Sequence, residues 1–309
     1  NTLSILPIIM KPHHPRATEA TTKYFLVQAL AASTILFAST LNAWQTGHWT
    51  ISSSSTTPTT IITMAILLKL GAAPVHLWYP EVIQGTTMNT ALLISTWQKM
   101  APMSLLYMMH NNLPTNLILL TGLLSTLLGG WAGLNQTQTR KIMAHSSIAH
   151  MGWLLIALAL NPHLATLTII IYIIMTSALF LSLNSTKTNT ITDLGTTLSA
   201  SPLMMTLTLL TLTSLGGLPP LTGFMPKLLI LYELTTMSLL AMATSLALAS
   251  LPSLFFYIRM AYMTTLTAPP NTTNTEYKWR LKPHAQSPTM TATLALMLLP
   301  LTPMLYTTT

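Results

Sequence analysis

Three lysines of this 309-residue chain lie inside otherwise apolar runs, where an ionisable group is most costly. Lys69 sits in TTIITMAILLKLGAAPVHLWYPE, Lys99 in LLISTWQKMAPMSLLY and Lys227 in SLGGLPPLTGFMPKLLILYE. A charge at bilayer depth is tolerated mainly where it faces protein or a water-filled cavity, so these positions point to an ion or proton pathway. Pro74 follows Lys69 by five residues. It lacks a backbone donor and clashes with the preceding turn, which predicts a helix break or kink, with His76 in the loosened segment. Gly216, Gly217, Pro219, Pro220, Gly223 and Pro226 predict a second discontinuous helix beside Lys227.

The lysines suit a proton relay better than a cation channel, because only one acid, Glu233, lies near any of them along the chain. Desolvation disfavours a charged lysine and a nearby carboxylate favours it. A lysine that alternates between those environments loads and releases a proton. Lys99 is about eleven residues from either end of its apolar run. At the helical rise this is ~15 Å of depth, beyond the reach of snorkelling. For all three lysines the structural reading is snorkelling or a hydrogen bond to carbonyls freed at a helix break.

The elements that must position these groups follow from composition. Half of the residues are hydrophobic, 6% are charged and the mean hydropathy is +0.55. A soluble domain carries roughly a quarter charged residues, so the chain reads as an all-α polytopic membrane protein. About nine spans of ~20 residues are legible. They are 24–45, 59–79, 88–109, 115–134, 142–160, 164–183, a long broken element 202–235, 238–262 and 287–306. Asn1–Met10 is too short to cross and reads as the end of a helix that begins earlier. The chain shows no signal pattern, soluble domain or interdomain linker, and residues 1–309 read as one helical bundle. Two broken helices, one in each half, match the inverted repeats of transporters, although no sequence repeat is visible.

The basic residues test this count. Threading the chain through each span puts Lys11, Arg16, Lys23, Arg140, Lys141, Lys187, Arg259, Lys278, Arg280 and Lys282 on one side. That side is the positive, cytoplasm- or matrix-like one, and the C-terminus falls on the other. The net charge of +8 thus reports orientation rather than nucleic-acid binding. The absence of cysteine excludes disulfides, thiolate metal sites and iron–sulfur ligation within the chain.

Other conspicuous residues have plainer readings. His145 and His150 are five apart, whereas metal ligation prefers i,i+4 and further ligands. Packing suits His150, with membership of a water network as the alternative. Glu81 follows Trp78, Tyr79 and Pro80, where interfacial aromatics are usual, and is expected to cap or pair at the basic surface. Glu233 is expected to pair with a neighbour, an exit carboxylate being the alternative. Lys278, Arg280 and Lys282 enforce orientation and suit an anionic headgroup.

Four segments carry a family resemblance: KLGAAPVHLWYPE, TWQKMAP, LNQTQTRKIMAHSSIAHMGW and GGLPPLTGFMPK. In this order they closely resemble the chain 2 family of mitochondrial NADH:ubiquinone oxidoreductase (respiratory complex I), one of its antiporter-like subunits, over essentially the whole chain. The resemblance implies an antiporter-like bundle in which Lys69 pairs with a glutamate, Lys99 is the central-axis lysine and Lys227 belongs to the second broken helix. His76 resembles a histidine of the same axis. The family's partner glutamate falls before Asn1, so the chain reads as N-terminally truncated relative to the family.

It further implies a proton-translocating subunit of the mitochondrial inner membrane, with basic loops toward the matrix and the C-terminus toward the intermembrane space. Its partners would be the other membrane-arm subunits and the bilayer, with cardiolipin at the basic loops. NADH, FMN, iron–sulfur clusters and ubiquinone would belong to other subunits, which agrees with a chain lacking a glycine-rich nucleotide loop, cysteine ligands or a flavin motif. The alternatives are a cation/proton antiporter subunit independent of NADH oxidation and a structural membrane subunit with inert lysines.

Overall fold

The computed structural model describes residues 2–10, 14–50, 55–200, 202–265 and 288–303. Lys11 and the basic cluster of Lys278, Arg280 and Lys282 lie outside the described residues. Among the described residues, five helices are long and apolar enough to cross a membrane. They are α2 (Pro15–Thr46), α7 (Thr115–Gly133), α8 (Thr139–Leu160), α9 (Pro162–Thr186) and α13 (Leu240–Thr265). The short N-terminal stub is itself helical, α1 (Thr2–Ile9), and buries Ile5 and Ile9.

The other spans are broken. The first divides into α3 (Thr56–Leu70) and α4 (Trp78–Gly85), and the last of them into α11 (Pro202–Gly216) and α12 (Phe224–Thr236). Between them the expected continuous helix 88–109 is two pieces, α5 (Met88–Ser95) and α6 (Trp97–Met108). At this third break the hydroxyls of Ser95 and Thr96 both donate to the Leu92 carbonyl, at 2.9 and 2.8 Å. Such back-bonding competes with the helical ladder. The Lys99 N–H then bonds Thr96 O at 3.3 Å, one residue short of the α-helical partner.

The sequence reading also missed α10 (Ile191–Ala200), a short helix between α9 and α11. Asp193 accepts from Thr190 N–H at 2.8 Å, and Thr190 Oγ1 accepts from Asp193 N–H at 3.3 Å. This reciprocal cap satisfies two otherwise orphaned donors. Near the chain's end, α14 (Thr289–Met297) stops well short of the expected span and runs into a 3-10 turn, Leu299–Leu301.

Helix α8 is the centre of the bundle, buried along most of its length. Its tight packing on α7 depends on glycine. A Cβ at Gly152 would strike the Gly122 carbonyl and the Thr126 side chain, and one at Gly129 would meet the α8 backbone at Ala149. Lipid offers no hydrophobic drive for helix association, so close backbone approach across small residues supplies contact that larger side chains would prevent. By contrast, α2 lies at the rim and exposes Phe25, Leu26, Leu30, Leu36, Phe37 and Trp44.

Candidate functional site

Each sequence-predicted lysine lies at the end of a helix segment, beside backbone that a break has released. The first break opens at Gly71 rather than at Pro74. Gly71 takes φ +71° and ends α3 by donating to Leu67 O and Leu68 O. A Cβ there would sit 3.2 Å from that of Tyr79, so the left-handed turn and the close approach both require glycine. Pro74 is exposed in the segment that follows. Lys69 therefore occupies the last turn of α3, at the break midway along the α3–α4 crossing, a part-buried place that favours a cation at the negative end of the helix dipole. Its carbonyl accepts from Gln28 Nε2 of α2 at 3.5 Å.

His76 is buried within this break, and its Nδ1 has no hydrogen-bond partner in the chain among the described residues. The same holds for His145 Nδ1 on α8. His145 lies within electrostatic reach of His76 and Lys141. The aromatics after His76, Trp78 and Tyr79, are buried within the bundle together with Pro80. The Trp78 indole donates to the Leu68 carbonyl at 3.2 Å and so closes the broken end of α3. Tyr79 turns its ring toward Lys99.

Lys99 is the most deeply placed of the three, 3% exposed at the α5–α6 break. Its Nζ lies 5.0 Å from the centroid of the Tyr79 ring and 4.9 Å from that of Tyr172 on α9. Aromatic faces at this distance attract a cation without neutralising it. Nζ also donates to Tyr172 Oη at 3.0 Å, and that hydroxyl donates in turn to the Ser95 carbonyl at 3.2 Å.

Beyond Tyr172 lies His150, part-buried on α8, with ring centroids 5.7 Å apart. Its Nε2 shares a 3.3 Å hydrogen bond with Tyr257 Oη of α13. His150 thus shares a hydrogen bond with Tyr257 and lines a cavity with Tyr172 and Lys227. Lys227 donates to the Gly216 carbonyl at 2.9 Å across the second break, with Nζ 5.9 Å from the Trp153 ring. That break contains Pro219 and Pro220, as expected, and opens at Gly217 with φ +85°. A small cavity lined by His150, Trp153, Tyr172, Met175, Pro226 and Lys227 lies beside the second break and reaches the Tyr172 side chain.

Lys99, His150 and Lys227 are therefore gathered in one cluster, Lys99 and His150 against Tyr172 and His150 and Lys227 around a shared cavity. Among the described residues, no hydrogen bond or ring contact links the Lys69 side chain to it, and none of the three lysines has a carboxylate partner. The ion pairs there are made by Lys23, which bonds Glu19 and Glu81 at 2.6 Å each. Glu81 accordingly pairs at the basic surface, as the sequence suggested. Glu233 is part-buried and makes no ion pair among the described residues. Among those residues no group of three His or acidic side chains is arranged to hold a metal ion.

The tyrosines escaped the sequence reading. Tyr172 stands in LTIIIYIIMTS, where it resembles apolar filler, and its partner Lys99 is 73 residues away along the chain. No local signal distinguishes it.

Comparison with known proteins adds identity to this geometry. Residues 2–253 match the family described as NADH:quinone oxidoreductase/Mrp antiporter, TM, and residues 254–306 match NADH dehydrogenase subunit 2 C-terminus. NADH-ubiquinone oxidoreductase chain 2 of Carassius auratus is 53% identical over 312 residues, covering 100% of this chain and 90% of that one. The Tetraodon nigroviridis protein of the same name is 52% identical, covering 99% and 89%. Among solved structures, a chain of respiratory complex I from Thermus thermophilus superposes with a TM-score of 0.80 at 24% identity, covering 97% of this chain and 72% of that one. At that identity the superposition speaks for the fold alone.

Proposed function

The chain belongs to the NADH-ubiquinone oxidoreductase chain 2 family, and from that premise we propose that Lys69, Lys99, Lys227 and His76 carry protons through it. It is a multi-pass membrane-arm subunit of complex I with an antiporter-like proton-translocating fold. NADH oxidation and quinone reduction take place in other subunits. The proposed path runs from the basic matrix side to the intermembrane space across the mitochondrial inner membrane. Counting each broken helix as one crossing, we read a single bundle of about nine spans plus the α1 stub, with the C-terminus on the far side.

Lys69 is the switching group in this reading. Its place beside a helix break lets small backbone movements change its surroundings. Lys99 is the shuttle, held in a buried site with no carboxylate partner among the described residues, so that its ammonium form is not locked in place. Lys227 passes the proton toward a neighbouring antiporter-like subunit or the exit. Buried imidazole nitrogens at His76 and His145 suit ordered water, which is how such groups are usually satisfied.

The observation that carries this reading is the position of His150 and Tyr172 between Lys99 and the environment of Lys227. An inert structural lysine would need no such continuation. The test is Lys227→Met in the assembled complex. The account expects unchanged assembly on a native gel and slower coupled NADH oxidation. A defect confined to assembly would instead support the structural-subunit reading.

A further inference from the structure

Tyr172 holds Lys99 in a way that no packing requirement explains. It is the only hydrogen-bond partner of Lys99 Nζ among the described residues, and it stands on a different helix. A phenol has one hydrogen, and here that hydrogen points to Ser95 O. That carbonyl is available because the Lys99 N–H bonds Thr96 O and leaves Ser95 O without its helical donor. The oxygen of Tyr172 is thereby fixed as an acceptor facing Lys99. The α5–α6 break, the lysine and α9 are tied together by one hydroxyl, which also borders the cavity leading to Lys227.

We propose that Tyr172 is a positioning residue for proton transfer, fixing Nζ of Lys99 at the α5–α6 break and directing its proton exchange. The proposal rests on the lysine-axis reading above. When Lys99 is an ammonium, it donates to Oη, and the hydroxyl hydrogen remains on Ser95 O. When Lys99 has given its proton to water or to the His150 side, its amine has a lone pair. The hydroxyl can then turn and donate to Nζ, releasing Ser95 O. No net proton enters or leaves the tyrosine. The charge of Lys99 is in this way communicated to the backbone of the break, and the direction of the next transfer follows from which groups the amine still faces.

The test uses Tyr172→Phe, Lys99→Met and the double variant, each in membranes containing the assembled complex. Phenylalanine keeps the ring face over Lys99 and removes only the oxygen. Coupled turnover and protons released per NADH are both normalised to assembled enzyme on a native gel. Tyr172→Phe is expected to assemble normally and to slow proton release roughly tenfold or more, the scale of losing one hydrogen bond to a buried charge. The double variant is expected to match Lys99→Met alone, because Tyr172 acts only through Lys99. A purely structural tyrosine would not produce that non-additivity.

Unchanged proton release in Tyr172→Phe, beside a defect in Lys99→Met, would overturn this proposal and leave the axis standing. Multiplying defects in the double variant would do the same, as would loss of the assembled complex in Tyr172→Phe. A silent Lys99→Met would overturn both readings together.

Discussion

Gly217 offers a direct handle on Lys227. Its φ of +85° is left-handed, and a Cβ there would lie 2.9 Å from Lys227 Nζ, 3.2 Å from Cδ and 3.3 Å from Cε. Gly217→Ala therefore has two separable effects. The backbone strain of a non-glycine residue in this region costs about 1–2 kcal/mol. The added methyl also displaces the far end of Lys227, which is flexible and moves cheaply, but which then loses its 2.9 Å bond to Gly216 O. A hydrogen bond to a charged group contributes roughly 1.5–3 kcal/mol, so occupancy of the observed position falls by about tenfold or more.

Gly47→Ala supplies the control. Its φ is +72° with nothing within 4 Å of the added atom, so it carries the strain without the contact. Assembled complex is measured by native gel, and coupled NADH oxidation is normalised to it. Both variants should assemble slightly less well, and only Gly217→Ala should be slow per assembled complex. Equal turnover in the two would refute the assignment of Lys227's position to function.

The remaining predictions concern the first break and the basic surface. Trp78→Phe removes one of the two donors to Leu68 O, the Gly71 N–H remaining at 3.2 Å, and the loss of that one hydrogen bond costs about 0.5–1.5 kcal/mol. The assembled complex should lose heat resistance, measured as the temperature at which its native-gel band disappears. Glu81→Gln breaks an exposed ion pair with Lys23, and such pairs contribute little. Assembly and turnover should both remain at the unmodified level, and a slowed turnover would make Glu81 part of the proton path.

How much of this was readable in advance depended on whether the signal was local. The second break was legible because Gly216, Gly217, Pro219 and Pro220 each alter the backbone on their own account. The three lysines were legible because an ionisable residue in an apolar run is itself anomalous. The first break was legible from Pro74, which lies at the centre of the interrupted segment, but the residue that ends the helix was not: Gly71 does so through its φ and its contact with Tyr79. The α5–α6 break was missed. Serine and threonine within a span look like ordinary small polar residues, and only their common bond to Leu92 O shows the competition. Tyr172, Tyr79 and Trp78 were unreadable for a different reason. Their roles are long-range contacts between helices, which apolar runs with aromatic residues do not encode.

The most direct test of the central claim is the number of protons released per NADH by sealed membranes carrying Lys99→Met, compared with Lys99→Arg. Methionine matches the length of the lysine stem but cannot carry a proton, and arginine keeps the charge but does not release it. The account predicts normal assembly with both variants and impaired, tightly coupled proton release with both. Full stoichiometry and rate with methionine at position 99 would contradict it.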